Sequence, residues 1–316
     1  MHRGLSAYLL RRVSFAVLLV LIVSSAALIL VQAAPGDHFS NFDADPAIAA
    51  AERHRLGLDR PLAVQYGAWL WRAVRLDFGE SLRYRRPVGD LVAERAEKTA
   101  LLGATALLLA TLLGVPAGVF TGTRRGALPA LLRGLSLVLV SVPSLVTSFG
   151  LLLFASRTGW LPVGGFPTTE EQTTWSGIAR YLILPAIALS LPIAASLERL
   201  QSEALTDALA EPCVRAAQAR GCSRRRLIWR HGLRLSLKPV IAVYGVIVGS
   251  VLSGSFAVEI VTSWPGLGAL MYDGLVSRDL YLVAGCAAAG AMFLAVGILL
   301  SDVALAVADP RVEESA

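Results

Sequence analysis

The chain has 316 residues, 55% of them hydrophobic and 16% charged, with a formal net charge of +6. Soluble domains carry about 25% charged residues, so this composition excludes an ordinary soluble globular enzyme and a disordered chain alike. Three cysteines (Cys213, Cys222 and Cys286) give neither a disulfide framework nor a metal-ligand spacing, so redox and metal chemistry have no foothold.

The predicted elements emerge from where charge stops. No Asp, Glu, Lys or Arg lies between Arg12 and Asp37, Lys98 and Arg124, Arg133 and Arg157, Arg180 and Glu198, Lys238 and Glu259, or Asp279 and Asp302. A bilayer core about 30 Å thick needs about 20 apolar residues as helix, because lipid offers the backbone no hydrogen-bond partner. Five windows meet that length. The fourth, Tyr181–Leu197, is short and contains Pro185 and Pro192, which predicts a helix packed inside a bundle. Arg11-Arg12 before the first apolar run resembles a cleavable or twin-arginine signal, but Val13–Val31 is longer than a usual signal core and reads as an uncleaved anchor.

Six spans with the N-terminus in the cytoplasm put sixteen basic residues in the inner segments and three (Arg157, Arg180 and Arg278) in the short outer loops. That asymmetry predicts cytoplasmic termini. The long outer segment Asp37–Lys98 is balanced, with ten basic and ten acidic residues. Within it, Ala47–Gly57 and Pro61–Leu76 show apolar residues at helical spacing, with Tyr66, Trp69 and Trp71 among arginines. This composition suits helices at the membrane interface or a cap on the bundle. In the second span, Gly114, Gly118 and Gly122 share one face, as Gly245 and Gly249 do in the fifth, which predicts close helix packing. Ser141, Pro143, Ser144, Thr147 and Ser148 interrupt the third window, consistent with either a cavity lining or a proline kink satisfied by hydroxyls.

Between the fourth and fifth windows a basic stretch of about forty residues is too long for a simple connector. Pro212 suits a first helical position, Arg220 a last turn and Gly221 the position just past a helix end, which predicts a short helix over Pro212–Arg220. Ser223 is placed to cap a second, arginine-rich helix ending at Lys238-Pro239. Ala216, Ala217 and Ala219 leave the first of these helices with little bulk. Such a helix fits a groove on another protein with Arg215 and Arg220 fixing its register, or else forms an amphipathic connector touching lipid headgroups.

The stretch Val214-Arg215-Ala216-Ala217-Gln218-Ala219-Arg220-Gly221, followed by Arg230-His231 and Leu237-Lys238-Pro239, resembles the EAA loop of ABC importer permeases. Leu56-Gly57-Leu58-Asp59-Arg60-Pro61-Leu62 with Gln65-Tyr66, Asp77-Phe78-Gly79-Glu80-Ser81, Arg86-Pro87-Val88, Ser263-Trp264-Pro265-Gly266-Leu267-Gly268, Arg278-Asp279 and Asp309-Pro310-Arg311-Val312 are similar, in order, to stretches of the dipeptide/oligopeptide/nickel branch. Pro212-Cys213, Gln218 and Lys238-Pro239 depart from that pattern.

The resemblance implies an all-α integral membrane protein of the ABC transmembrane type-1 permease fold, with six transmembrane helices and both termini cytoplasmic. The implied organisation is a first span within 1–36, an extracytoplasmic segment 37–97, a type-1 domain 98–308 with a coupling loop 199–238, and a cytoplasmic tail 309–316. Glu211, Val214, Arg215, Ala216, Ala217, Ala219, Arg220 and Gly221 take the ATPase-coupling role. Ser141, Pro143, Ser144, Trp264, Pro265 and Gly266 are candidates for the translocation path or gate. The implied partners are a homologous second permease, two ABC ATPase subunits carrying the ATP, an extracytoplasmic solute-binding protein and the bilayer of a bacterial cell membrane. The implied cargo is a di- or oligopeptide or a similar small solute.

Absences agree with that division of labour. No G-x-x-x-x-G-K-[ST] occurs, and the chain has only Lys98 and Lys238 as lysines, so no P-loop can form. His2, His38, His54 and His231 are scattered and form no H-E-x-x-H, which leaves no catalytic residues, no cofactor and no metal site to nominate. The positive-inside asymmetry already accounts for the basic charge without nucleic acid. A stand-alone secondary transporter or channel is the alternative, but the charge-free windows hold no coupling carboxylate, and only Glu259 and Asp302 sit at their edges.

Overall fold

The computed structural model describes residues 2–33, 54, 59–75, 77–167 and 174–308. Apart from His54, the expected interfacial helix over 47–57 lies outside them, as do the Leu56-Gly57-Leu58 stretch and the tail 309–316. Among the described residues the regular structure is helical, with one isolated β-bridge between Glu80 and Pro87.

The helices in chain order are α1 (His2–Ala33), α2 (Leu62–Ala73), α3 (Val88–Thr123), α4 (Ala127–Ser141), α5 (Ser144–Thr158), α6 (Trp175–Ala210) and α7 (Pro212–Ala219). After α7 come α8 (Arg224–Arg226), a π-helical turn (Leu227–Gly232), α9 (Leu233–Ala242), α10 (Tyr244–Thr262), α11 (Leu267–Val276) and α12 (Leu280–Ala308). Five of these, α1, α3, α6, α10 and α12, are long and apolar enough to cross a bilayer, and the α4–α5 pair makes a sixth if taken as one broken span.

Two expectations change. The third span is not one helix, because α4 and α5 meet at 106°. Val142 is extended (φ −92°, ψ 119°), the conformation favoured before proline, and Pro143 then starts α5 without an N–H to continue α4. The fourth span is not short. Charge marks where a helix leaves lipid rather than where it ends, and α6 runs for 36 residues, about 54 Å at 1.5 Å per residue. Pro185 and Pro192 sit inside α6 without ending it, a tolerance typical of helices enclosed by neighbouring helices. Most of the expected loop from Arg199 onward is therefore helical: α6 reaches Ala210, and α8, the π turn and α9 follow one another.

The chain divides into two compact units, and α3 and α12 each pass from one to the other. The first comprises Met1–Thr99 and Pro265–Ala295. In it α2 is tied to α1 by Tyr66 Oη with Ser25 Oγ (2.9 Å) and by Gln32 Nε2 donating to Gln65 Oε1 (2.8 Å). Trp69 of α2 is 1% exposed, whereas Trp71 is exposed with Arg75 stacked 4.2 Å from its ring, so α2 has one face packed on protein and an aromatic–cationic outer face. The second unit comprises Ala100–Trp264 and Val296–Ala316 and is organised around α6, which packs against α4, α5, α9 and α10. Its core includes Leu102, Ala106, Leu189, Leu197, Val251 and Val258. The glycine stripe of α3 seats on the α6 backbone. A Cβ at Gly114, Gly118 or Gly122 would come within 3.0 Å of the carbonyl oxygen of Ala194, Glu198 or Ser202, respectively.

Candidate functional site

The basic segment after α6 is built from a sharp helix start, a glycine stop and an inward hydrophobic anchor. The Glu211 carbonyl accepts from Val214 N (3.1 Å) and Arg215 N (3.0 Å), and Pro212 occupies the first turn of α7, where its missing N–H removes no bond. At the other end Gly221 (φ +85°) adopts the left-handed conformation. Cys222 N donates to Ala217 O (3.2 Å) and Gly221 N to Gln218 O (2.9 Å), closing a Schellman turn. Val214 and Ala217 turn inward to form a buried cluster with Leu227, against which Leu209, Cys222 and Leu235 pack. Arg215, Ala216, Gln218, Ala219 and Arg220 remain exposed. The small-residue face is thus Ala216 and Ala219 between two arginines, and Val214 and Ala217 are its props. Ser223 makes no side-chain cap. Its carbonyl instead accepts from Leu227 N (2.9 Å), because α8 runs directly into the π turn. Arg224 Nη2 donates to Thr123 O at the end of α3 (3.0 Å), fixing this segment to a span.

The residues expected to line the path or gate fall in separate places. Ser141 is exposed, and its hydroxyl bonds back to Leu137 O (3.0 Å), while Thr147 and Ser148 bond back to Pro143 O and Ser144 O. These hydroxyls thus return to carbonyls on either side of the Pro143 break. Trp264 follows α10, is 0% exposed and stacks edge-on against Phe166 at 5.4 Å. Ser263 (φ 54°) turns the chain there, and Trp264 N donates to Glu259 O (2.9 Å). Gly165 N donates to Thr262 O (2.8 Å), pinning the 164–166 loop to the end of α10. Gly266 is buried, and Leu267 N donates to Thr99 Oγ1 (2.7 Å) within the first unit. The gate candidates Trp264 and Pro265 are separated from α7 in sequence by the whole of α9 and α10.

Three groups went unrecognised in the sequence. The first is Asp279, 0% exposed in the first unit. Its Oδ2 accepts from Ser81 Oγ (2.6 Å) and Arg83 N (3.1 Å), and its Oδ1 caps α12 by accepting from Leu282 N (3.2 Å). With Ser81 N donating to Arg86 O (2.9 Å) and Val88 N to Gly79 O (2.9 Å), the Asp77–Ser81, Arg86–Val88 and Arg278–Asp279 stretches are parts of one structure. Gly79 (φ +91°) adds to it, since a Cβ there would lie 3.3 Å from the Tyr281 ring. The second group is Tyr84, whose hydroxyl donates to Asp273 Oδ2 (2.8 Å) beside an Arg83–Asp273 ion pair (3.7 Å). Burial, then the bond to and charge of Asp273, hold the Tyr84 phenol above its usual pKa, partly offset by Arg83.

The third is Glu198, 2% exposed in α6. Its Oε1 accepts from Thr121 Oγ1 of α3, and among the described residues no group hydrogen-bonds its Oε2. Gln201, one turn on, donates to Ser236 Oγ (2.8 Å). Glu198 bounds the fourth charge-free window, and the glycines at 114, 118 and 122 were the signal that something packs closely enough to bury it. Glu259, in the last turn of α10, is likewise fully buried.

Long apolar helices, a broken pair and a short exposed helix propped at the end of the 36-residue α6 define a multi-pass helical membrane protein. Among the described residues no group of His, Cys, Asp and Glu is placed to hold a metal ion. Residues 114–314 match the family model described as the inner membrane component of binding-protein-dependent transport systems, and residues 5–81 match the N-terminal model of such membrane components. The chain belongs to this family. It is a transport subunit of the bacterial cell membrane, not an enzyme, and its family's dependence on a binding protein replaces the stand-alone alternative. The chain is 32% identical to the oligopeptide transport system permease protein AppB of Bacillus subtilis (strain 168), covering 98% of this chain and 100% of that one. It is 33% identical to the glutathione transport system permease protein GsiC of Salmonella paratyphi A, covering 86% and 87%.

Proposed function

We propose that the chain forms one half of the translocation path of a peptide importer driven by ATP on partner subunits. The exposed Arg215–Arg220 face of α7 is the observation that carries this reading. It is a small-residue surface joined to α6 through Glu211 and anchored by Val214 and Ala217 on Leu227. An ATPase subunit grips Arg215, Ala216, Ala219 and Arg220. Glu211 and Gly221 set where the gripped helix begins and ends. Movement of α7 passes to α6, which packs against α4, α5 and α10, so a lever at one end reorients the spans. A second homologous permease completes the path, two ATPases sit at the cytoplasmic face with both termini, and a solute-binding protein meets the outer segment 37–97. Ser141, Pro143 and Ser144 face the path at the broken span, while Trp264, Pro265 and Gly266 form the outer gate. Di- and oligopeptides are the cargo class, supported by the names of the relatives above.

The test is uptake of labelled di- and oligopeptides into cells lacking the gene and complemented with the wild type or with Arg215→Glu combined with Gly221→Leu. Wild-type chain restores uptake and, when tagged, co-purifies with an ATPase. The double variant inserts normally and restores none. Full uptake by the double variant would refute the coupling role of α7.

A further inference from the structure

We infer that α2 is embedded in the lipid leaflet at the C-terminal end of α1, with Val64, Trp71 and Val74 facing lipid and the Trp71–Arg75 pair holding a phospholipid phosphate. The inference goes beyond the import reading above and takes from it only that this leaflet is the outer one.

The depth of α2 follows from its bonds to α1. Tyr66 Oη meets Ser25 Oγ (2.9 Å) and Gln65 Oε1 accepts from Gln32 Nε2 (2.8 Å). The helix α2 therefore lies across the stretch of α1 from Ser25 to Gln32, about 10 Å long at 1.5 Å per residue. This stretch belongs to the membrane-crossing window Arg11–Ala33, and Ile29 and Leu30 within it are exposed. Such side chains on a membrane-crossing helix need apolar surroundings, and α2 shares their depth.

The faces of α2 divide cleanly. Gln65 and Tyr66 turn to α1, Trp69 is buried, and the Arg72 guanidinium lies 5.2 Å over the Tyr281 ring of α12. Val64, Ala68, Trp71, Val74 and Arg75 fall on the other side and are all exposed. Val74 stays on the helical path, its N–H donating to Leu70 O (3.1 Å). With Val64, Trp71 and Val74 48%, 62% and 66% exposed at the depth of bare Ile29 and Leu30, this face suits a helix lying in the plane of the leaflet. Trp71 fits the headgroup boundary, where an amphipathic ring is favoured. Arg75 stacks 4.2 Å over that ring, and no ion pair among the described residues involves it. Stacking occupies the face of the guanidinium and leaves its N–H edge, which matches two phosphate oxygens. The α2 sequence contains no acidic residue to repel that anion. The remainder of 37–97 is left for the solute-binding protein.

The experiment uses the complete transporter, without its solute-binding protein, in vesicles of phosphatidylethanolamine and phosphatidylglycerol. Nitroxide labels are placed by Val64→Cys and Val74→Cys, with Leu30→Cys of α1 as the lipid reference, after Cys213, Cys222 and Cys286 are replaced. Oxygen, which concentrates in lipid, should relax the labels at 64 and 74 as strongly as the label at 30, and a water-soluble nickel chelate should reach them severalfold less. Free access of the chelate would place the face in water, and shielding from both reagents would place it against a partner protein. Either result overturns the inference. Native mass spectrometry of the detergent-purified transporter with added phosphatidylglycerol tests the headgroup contact. Arg75→Gln should retain one lipid fewer than the wild type, and Arg75→Lys should recover it in part. Equal retention by Arg75→Gln would overturn that contact. Neither measurement depends on the cargo, so both stand whatever solute is carried.

Discussion

Replacing Gly118 with alanine tests the close seating of α3 on α6, on which the burial of Glu198 depends. The new Cβ would stand 2.6 Å from the Glu198 carbonyl oxygen and 2.7 Å from Gln201 Cβ, inside the 3.0 Å that real Cβ atoms respect. One contact is backbone, so relief requires α3 to move away from α6 rather than a side chain to rotate. Overpacking of this kind costs about 1–3 kcal/mol, while glycine-to-alanine exchange in a helix returns at most about 1 kcal/mol. The net effect is destabilising. Gly134 in α4 is the control, because a Cβ there meets nothing within 4 Å. Thermal unfolding of the two purified variants should place Gly118→Ala below the wild type and Gly134→Ala at or above it. Equal unfolding temperatures for the two variants would refute the seating.

Asp279→Asn keeps an acceptor but removes the charge that gathers Ser81, Arg83 and the α12 N-terminus, so proteolysis of the outer segment should quicken, with about 1–3 kcal/mol lost locally. A protease-resistance profile like that of the wild type would remove Asp279 as the organiser. Tyr84 gives a pH dependence. Its pKa is raised above 10.0 in the fold, so the native state holds the phenolic proton more tightly than the unfolded chain. The associated stability is complete below pH 10 and is lost as the pH rises through the folded value. Thermal unfolding scanned upward from about pH 9 should show that alkaline loss in the wild type and less of it in Tyr84→Phe.

Much of the fold was legible because lipid imposes a simple rule: uncharged runs of sufficient length become helices. The bounds of α7 were legible for an equally local reason, since Pro212 and Gly221 act through their own backbone geometry. The 106° turn at Val142–Pro143 was not, because a proline in a membrane helix bends, breaks or simply remains, as Pro143 on one side and Pro185 and Pro192 on the other illustrate. The length of α6 was hidden because its charged second half is a helix packed on α4 and α9, which no charge count distinguishes from a loop. The division of α7 into props and exposed face required Leu227, thirteen positions beyond Val214 in sequence but packed beneath it. Asp279 and Ser81 meet across 198 positions, so no spacing rule reveals that they share a hydrogen bond.

The central claim is that the exposed face of α7 is gripped by an ATPase subunit. Site-directed cross-linking in native membranes tests it most directly, with single cysteines placed by Ala216→Cys, Ala219→Cys and Ala217→Cys after Cys213, Cys222 and Cys286 are replaced. The account predicts that Ala216→Cys and Ala219→Cys join the chain to an ATPase subunit, while the inward-turned Ala217→Cys does not. Absence of cross-links at both exposed positions, in membranes where the assembled transporter still imports peptide, would contradict it.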